Sequence, residues 1–92
     1  MGGYRFTVSV MPKDGILDPQ GRAVEGSLPH LGVSTVHNVK VGRRVELTVD
    51  AATAEEGRAV VEHLASELFA NPLIERWSID GPESVPAEAV PA

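Results

Sequence analysis

The sequence predicts an α+β domain of the ferredoxin-like βαββαβ type: a four-stranded antiparallel sheet with two helices on one face, in an oligomeric protein. Three observations predict it. Tyr4 to Met11 alternates, with Tyr4, Phe6, Val8 and Val10 on one side and Arg5, Thr7, Ser9 and Met11 on the other. Thr35 to Val41 and Arg43 to Asp50 repeat that alternation on either side of Gly42. A helical apolar stripe of Val60, Val61, Leu64, Ala65 and Leu68 follows Thr53. Period 2 marks half-buried strands, and a period near 3.6 marks an amphipathic helix.

Taken in order, the first strand ends at Pro12, which has no backbone donor to give a ladder. Asp18-Pro19 opens the first helix: Asp18 can accept from the orphan amides of the first turn, and Pro19 fits the first helical position. Val24, Leu28 and Leu31 follow at helical spacing. Gly21, Gly26 and Pro29 weaken the helix, so a kink or early end is expected near Ser27 to His30, with Gly32 as the stop. Thr35 to Val41 and Arg43 to Asp50 read as a hairpin turning near Val41 to Arg44. Thr53-Ala54-Glu55-Glu56 is a capping box for a helix from about Ala54 to Phe69, which Asn71-Pro72 ends. Leu73 to Asp80 is the last strand. Residues 1–80 thus form one domain, and residues 81–92, rich in Pro, Ala, Glu and Val, are expected to be a mobile tail.

Composition excludes several function classes. The chain has 92 residues and a net charge of −5, the wrong sign for neutralising phosphates, so nucleic acid is not an expected partner. It has no cysteine, which removes disulfide frameworks, thiolate zinc sites and thiol catalysis. No signal-peptide pattern and no apolar run of membrane-spanning length is present, so no membrane contact and a cytoplasmic location are expected.

The stretch Lys13-Asp14-Gly15-Ile16-Leu17-Asp18-Pro19-Gln20-Gly21 is the one most like a functional loop. Asp14 and Asp18 would suit a metal or an acid–base pair. Equally, Asp14-Gly15 is a turn and Asp18 a helix cap, and no further ligand lies nearby in sequence, which favours the structural assignment. His30, His37 and His63 share no ligand spacing, and no serine sits in a nucleophile elbow. Gly42-Arg43-Arg44 fits a hairpin turn with exposed arginines. The fold itself hosts many functions. An RNA-recognition role would need stacking aromatics on both central strands in a basic setting. An acylphosphatase would need an Arg-bearing phosphate cradle after the first strand. Neither is present.

Several local patterns then coincide in order. Lys13 precedes Gly15-Ile16-Leu17-Asp18-Pro19-Gln20-Gly21; Leu31-Gly32 follows; then Val39-Lys40-Val41-Gly42-Arg43, Val45-Glu46-Leu47, and finally Leu68-Phe69-Ala70-Asn71-Pro72-Leu73-Ile74-Glu75. Together, over about Tyr4 to Ile79, they closely resemble the PurS family, the small subunit of phosphoribosylformylglycinamidine synthase. The resemblance implies a part in de novo purine synthesis. The whole enzyme converts formylglycinamide ribonucleotide, glutamine and ATP to formylglycinamidine ribonucleotide, glutamate, ADP and phosphate. It implies ATP and magnesium on a large synthetase subunit, a cysteine nucleophile on a glutaminase subunit, and a small subunit that binds no cofactor, self-associates as a dimer or tetramer, bridges the other two and assists ammonia transfer.

The expected role is therefore architectural, with no catalytic, cofactor-binding or metal residue on this chain. Lys13, Asp14, Asp18, Gln20 and Arg43 are the expected partner contacts, because their polar groups lie on loops, where contact residues concentrate. The rival expectations are a stand-alone ferredoxin-like regulatory dimer that binds a small molecule, and an enzyme using Asp14 and Asp18 on a metal.

Overall fold

The computed structural model describes residues 2–85. Strand β1 (Gly2–Pro12) is followed by α1 (Pro19–Ser27), β2 (Arg43–Ala51), α2 (Ala54–Leu64) and β3 (Glu75–Val85). The sheet is antiparallel with spatial order β2-β1-β3, so the first strand lies in the middle.

The alternation in β1 sets the core. Phe6, Val8 and Val10 are fully buried, and Val61 and Ala65 come down on them from above. Burying a side chain of this size is worth about 1.5–3 kcal/mol. On β2 the facing residues are Val45, Leu47 and Val49, and on β3 Trp77 and Ile79, by register with Val8, Phe6, Tyr4 and Val10. These flanking residues are only half-buried. The opposite face of β2 carries Arg44, Glu46, Thr48 and Asp50, all exposed, as expected for a sheet side that meets water.

The Thr53 half of the expected capping box is present: the Thr53 hydroxyl oxygen accepts from the Glu56 amide at 3.1 Å. The helix continues as a π turn, Ala65–Phe69, closed by the Ala70 amide on the Ala65 carbonyl at 3.0 Å. Asn71 stops it. Its side-chain oxygen accepts from Leu73 and its carbonyl from Ile74 and Glu75, so Leu73 and Ile74 form a turn and β3 begins at Glu75. The first helix also ends as expected. It tightens into a 3₁₀ turn at Leu28–Leu31 and stops at Gly32 with φ of 72°.

Two expectations need correction. The sheet has three strands among the described residues, not four. Thr35 to Val41 joins no ladder and forms no strand. Its β-rich composition marks a surface that pairs well, and pairing also needs a partner edge in register. Here Asn38 takes a left-handed φ of 58°, and the amides of Val39 and Val41 go to side chains of the first helix region instead. The second correction concerns the end of the last strand. Gly81-Pro82 reads as a strand stop, yet β3 runs on to Val85, with Arg5 opposite Glu83 and Gly3 opposite Val85. A register shift between Arg5 and Thr7 absorbs Gly81 and Pro82, and an edge strand tolerates proline. The expected tail beyond Val85 lies outside the described residues.

Candidate functional site

The chain leaves β1 at Pro12 and enters β2 through Gly42. Of the five polar residues singled out in the sequence, Asp14, Asp18, Gln20 and Arg43 line two grooves near these passages, and Lys13 directly follows Pro12. Lys13 starts a tight turn: its carbonyl accepts from Ile16 at 3.2 Å, with Gly15 at φ 81°. Its amide donates to Ile74 at 2.9 Å, tying the turn to the chain just before β3. Asp14 pairs with the ammonium of Lys40. That contact holds the Asp14 carboxyl below the usual range.

Asp18 has both oxygens occupied. Oδ1 accepts from the Gly21 amide at 3.1 Å and caps α1; Oδ2 accepts from the Val41 amide at 2.8 Å. These backbone donors, Val41 first, depress its pKa. Two turns along, Glu25 Oε1 accepts from the Val39 amide at 2.7 Å. Thus two carboxylates of the helix region take the alternate amides that a neighbouring strand would have taken. The backbones are pressed close here: a Cβ on Gly21 would collide with the Val39 carbonyl and with the Asp18 carboxylate.

Arg43 closes the corner from the other side. Its guanidinium meets both oxygens of Glu75 at 2.8 Å and also reaches the Phe69 carbonyl. Glu75 in turn accepts from the Asn71 amide at 2.7 Å. The guanidinium is the main cause of the lowered Glu75 pKa, and the carboxylate raises that of Arg43. Gln20 is exposed.

Ile16, Leu17 and Asp18 form a ridge between two open grooves. One, of about 780 Å³, is walled by Asp14, Arg22, Glu25, Asn38 and Lys40. The other, of about 480 Å³, is walled by Pro12, Pro19, Gln20, Val41, Arg43, Ile74 and Glu75. Leu17 is 67% exposed on the ridge, and Leu73 and Ile74 are also exposed.

The chemistry of the corner follows from these contacts. Asp14 and Asp18 do not converge on a shared point; one meets an ammonium and the other two amides. Among the described residues no group of three or more His, Cys, Asp or Glu side chains is placed to hold a metal. No helix is long and apolar enough to cross a membrane. Sequence reasoning missed Glu25, Lys40 and Glu75. Glu25 lies seven residues after Asp18, on the same side of a helix, which is the one signal that pairs them.

A family profile described as PurS, phosphoribosylformylglycinamidine (FGAM) synthase, matches residues 5–83. The chain belongs to the PurS family. A phosphoribosylformylglycinamidine synthase subunit PurS from Mycobacterium leprae is 40% identical over 75 residues, 82% of this chain and 91% of that one. The Bacillus subtilis subunit is 32% identical over 82 residues, 89% and 96% of the two chains. The solved structure of Thermus thermophilus PurS superposes with a TM-score of 0.79 at 37% identity, covering 91% of this chain and 99% of that one. A chain in the structure of PurLQS from Thermotoga maritima shares the fold, with a TM-score of 0.78 at 24% identity over 92% and 100%. As a PurS-family chain, the protein is a subunit of the synthase of purine biosynthesis to which the sequence patterns pointed.

Proposed function

We propose that this PurS-family chain is the architectural subunit of its synthase. It carries no reacting group of its own, self-associates, and bridges a large synthetase subunit and a glutaminase subunit, so that ammonia passes between them inside the assembly. On this reading ATP and magnesium belong to the synthetase subunit, and the complex works in the cytoplasm.

One observation carries the reading. The charged side chains that looked like a catalytic loop hold the chain's own backbone and one another, while Leu17, Leu73 and Ile74 stand exposed around them. A corner held rigid by internal polar contacts and topped by apolar side chains suits docking. Lys13 and Gln20, both exposed, are proposed to reach a partner directly. Asp14, Asp18 and Arg43 are proposed to serve docking by holding the corner's shape. The relatedness to the chain in PurLQS supports assembly with other subunits.

Reconstitution tests this. The chain is mixed with a synthetase and a glutaminase subunit, and formylglycinamidine ribonucleotide production is followed with glutamine or with ammonium as nitrogen source. Omitting the chain should abolish the glutamine-dependent rate and spare the ammonium-dependent one. An unchanged glutamine-dependent rate without the chain overturns the proposal.

A further inference from the structure

The chain has eight Lys and Arg residues, and five of them hold a carboxylate, as Arg44 holds Glu46 and Lys40 holds Asp14. Among the described residues Lys13, Arg22 and Arg76 hold none. Arg22 stands apart on α1, in the wall of the larger groove. Lys13 and Arg76 lie together. The Lys13 amide donates to the Ile74 carbonyl at 2.9 Å, and Met11 stands opposite Arg76. Lys13 and Arg76 are therefore diagonal neighbours on the sheet face turned away from α2, and both are exposed. Diagonal neighbours of this kind have Cβ atoms about 7–8 Å apart.

This end of the face is cationic. In the next row Arg44 and Ser78 flank Ser9, with Arg44 drawn toward Glu46 by their 2.9 Å ion pair. Lys40 chiefly, and Arg76 with it, hold the Asp14 carboxyl below its usual range, so Arg76 sits beside the turn that follows β1. Asp14 itself is taken by Lys40. Farther along the same face the sign reverses, with Asp80 opposite Thr7 and Asp50 opposite Gly3. The chain carries a net charge of −5, so carboxylates are plentiful, yet these two cations stand side by side without one. Neighbouring like charges on a sheet cost stability, so the fold itself does not call for this pair.

We propose that Lys13 and Arg76 form a docking point for an acidic segment of a partner subunit of the synthase, an extended stretch with carboxylates at alternate positions. This rests on the bridging role proposed above and names the chemistry of one contact. Alternate residues of an extended chain are about 6.4–6.8 Å apart, close to the spacing of the two cations. The patch is open. Neither groove is lined by Lys13, Arg44 or Arg76, so no walls enclose a small anion there. A second copy of this chain is not the fitting occupant. Sheets that stack face to face do so through apolar side chains, and this face carries Arg44, Glu46, Thr48 and Asp50. Exposed charge pairs set the encounter rate and the choice of partner more than the final affinity, so the contact is salt-sensitive.

The test uses the full chain with a synthetase and a glutaminase subunit. Affinity for each subunit is measured at low and high salt for the wild type, for the double variant Lys13→Glu, Arg76→Glu, and for Arg58→Glu on α2. A photo-cross-linking benzoylphenylalanine at position 78 identifies what the patch touches. We expect the double variant to bind one of the two subunits at least about tenfold more weakly at low salt and to lose most of the wild type's salt dependence. Arg58→Glu should bind as the wild type does, and light scattering should give all three the same mass. The neutral pair Lys13→Gln, Arg76→Gln, which removes the repulsion, should melt no lower than the wild type and show a smaller loss of the same kind. Cross-links should fall on a partner segment with alternating Asp or Glu. Unchanged affinity of both double variants for both subunits, or cross-links to another copy, overturns the docking point and leaves the bridging role standing. So does saturable binding of inorganic phosphate that depends on Lys13 and Arg76 while subunit affinity does not. A wild type that binds neither subunit overturns both.

Discussion

Arg43 and Glu75 meet as a two-pronged ion pair, each guanidinium nitrogen 2.8 Å from its own carboxylate oxygen, and so join the start of β2 to the start of β3 across the end of β1. The same guanidinium reaches the Phe69 carbonyl, and the same carboxylate holds the Asn71 amide. A lysine offers one ammonium and cannot serve three acceptors in a plane. Arg43→Ala is expected to lower the melting temperature by several degrees, and Arg43→Lys to recover less than half of that loss. Thermal denaturation followed by circular dichroism checks both.

The carboxylates of Asp14, Asp18 and Glu75 all have folded-state pKa values below their ordinary ones. Each contributes stability that is present above its unfolded pKa, near pH 4, and is lost as pH falls through the lower folded value. The melting temperature should be flat from about pH 5 to 8 and decline steeply below about pH 4. The double variant Asp18→Asn, Glu75→Gln should show a shallower decline. An equal slope would mean that these two groups do not drive it.

Gly21 and Gly26 lie in the same helix and make opposite predictions. Replacing either by alanine raises helix propensity by about 0.8–1.0 kcal/mol. At Gly26 a Cβ meets nothing within 4 Å, so Gly26→Ala should be stabilising by about that amount. At Gly21 the Cβ runs into the Val39 carbonyl, so Gly21→Ala should be destabilising, by about 1–3 kcal/mol. Chemical denaturation gives the sign, and faster hydrogen exchange at Val39 and Val41 would locate the effect on the segment that leads into β2.

Phe6 is fully buried beneath α2, and a Cβ added at Gly57 or Gly81 would meet it at 3.3 or 3.4 Å. Phe6→Ala should cost about 3–5 kcal/mol. Leu17, 67% exposed, should tolerate Leu17→Ser within about 0.5 kcal/mol. The same Leu17→Ser change should nevertheless weaken assembly of the reconstituted synthase, read by sedimentation. Full assembly in that variant would remove the ridge from the docking surface.

Much of this fold was legible because its signals are local. The alternation of Phe6, Val8 and Val10, the Thr53 cap, the Asp18-Pro19 opening and the break at Pro29 each depend on neighbours within a turn or two. The misread segment failed for a non-local reason. Thr35 to Val41 has strand composition, but the amides of Val41 and Val39 go to Asp18 and Glu25, 23 and 14 residues away, and nothing in the segment's own pattern announces that. Gly81-Pro82 misled in the same way: a local stop signal sits inside a bulge that only the pairing with β1 reveals. At the corner, Asp14, Asp18, Gln20 and Arg43, marked from sequence, line two adjacent grooves. Their partners Glu25, Lys40 and Glu75 were invisible because each contact crosses between separate passages of the chain.

β1 is made before either of its two neighbours and has to wait for both. Gly2 waits for Ala51, and Gly3 for Val85. Both ladders therefore close over long stretches of chain, a topology that folds slowly. Until β3 is made, β1 can pair on one side only. Production of this small subunit should accordingly be limited by folding after β3 is made; loss of β3 should release a chain whose middle strand lacks one side, whereas loss from Gly81 onward should unpair only Gly3 to Arg5 on that side.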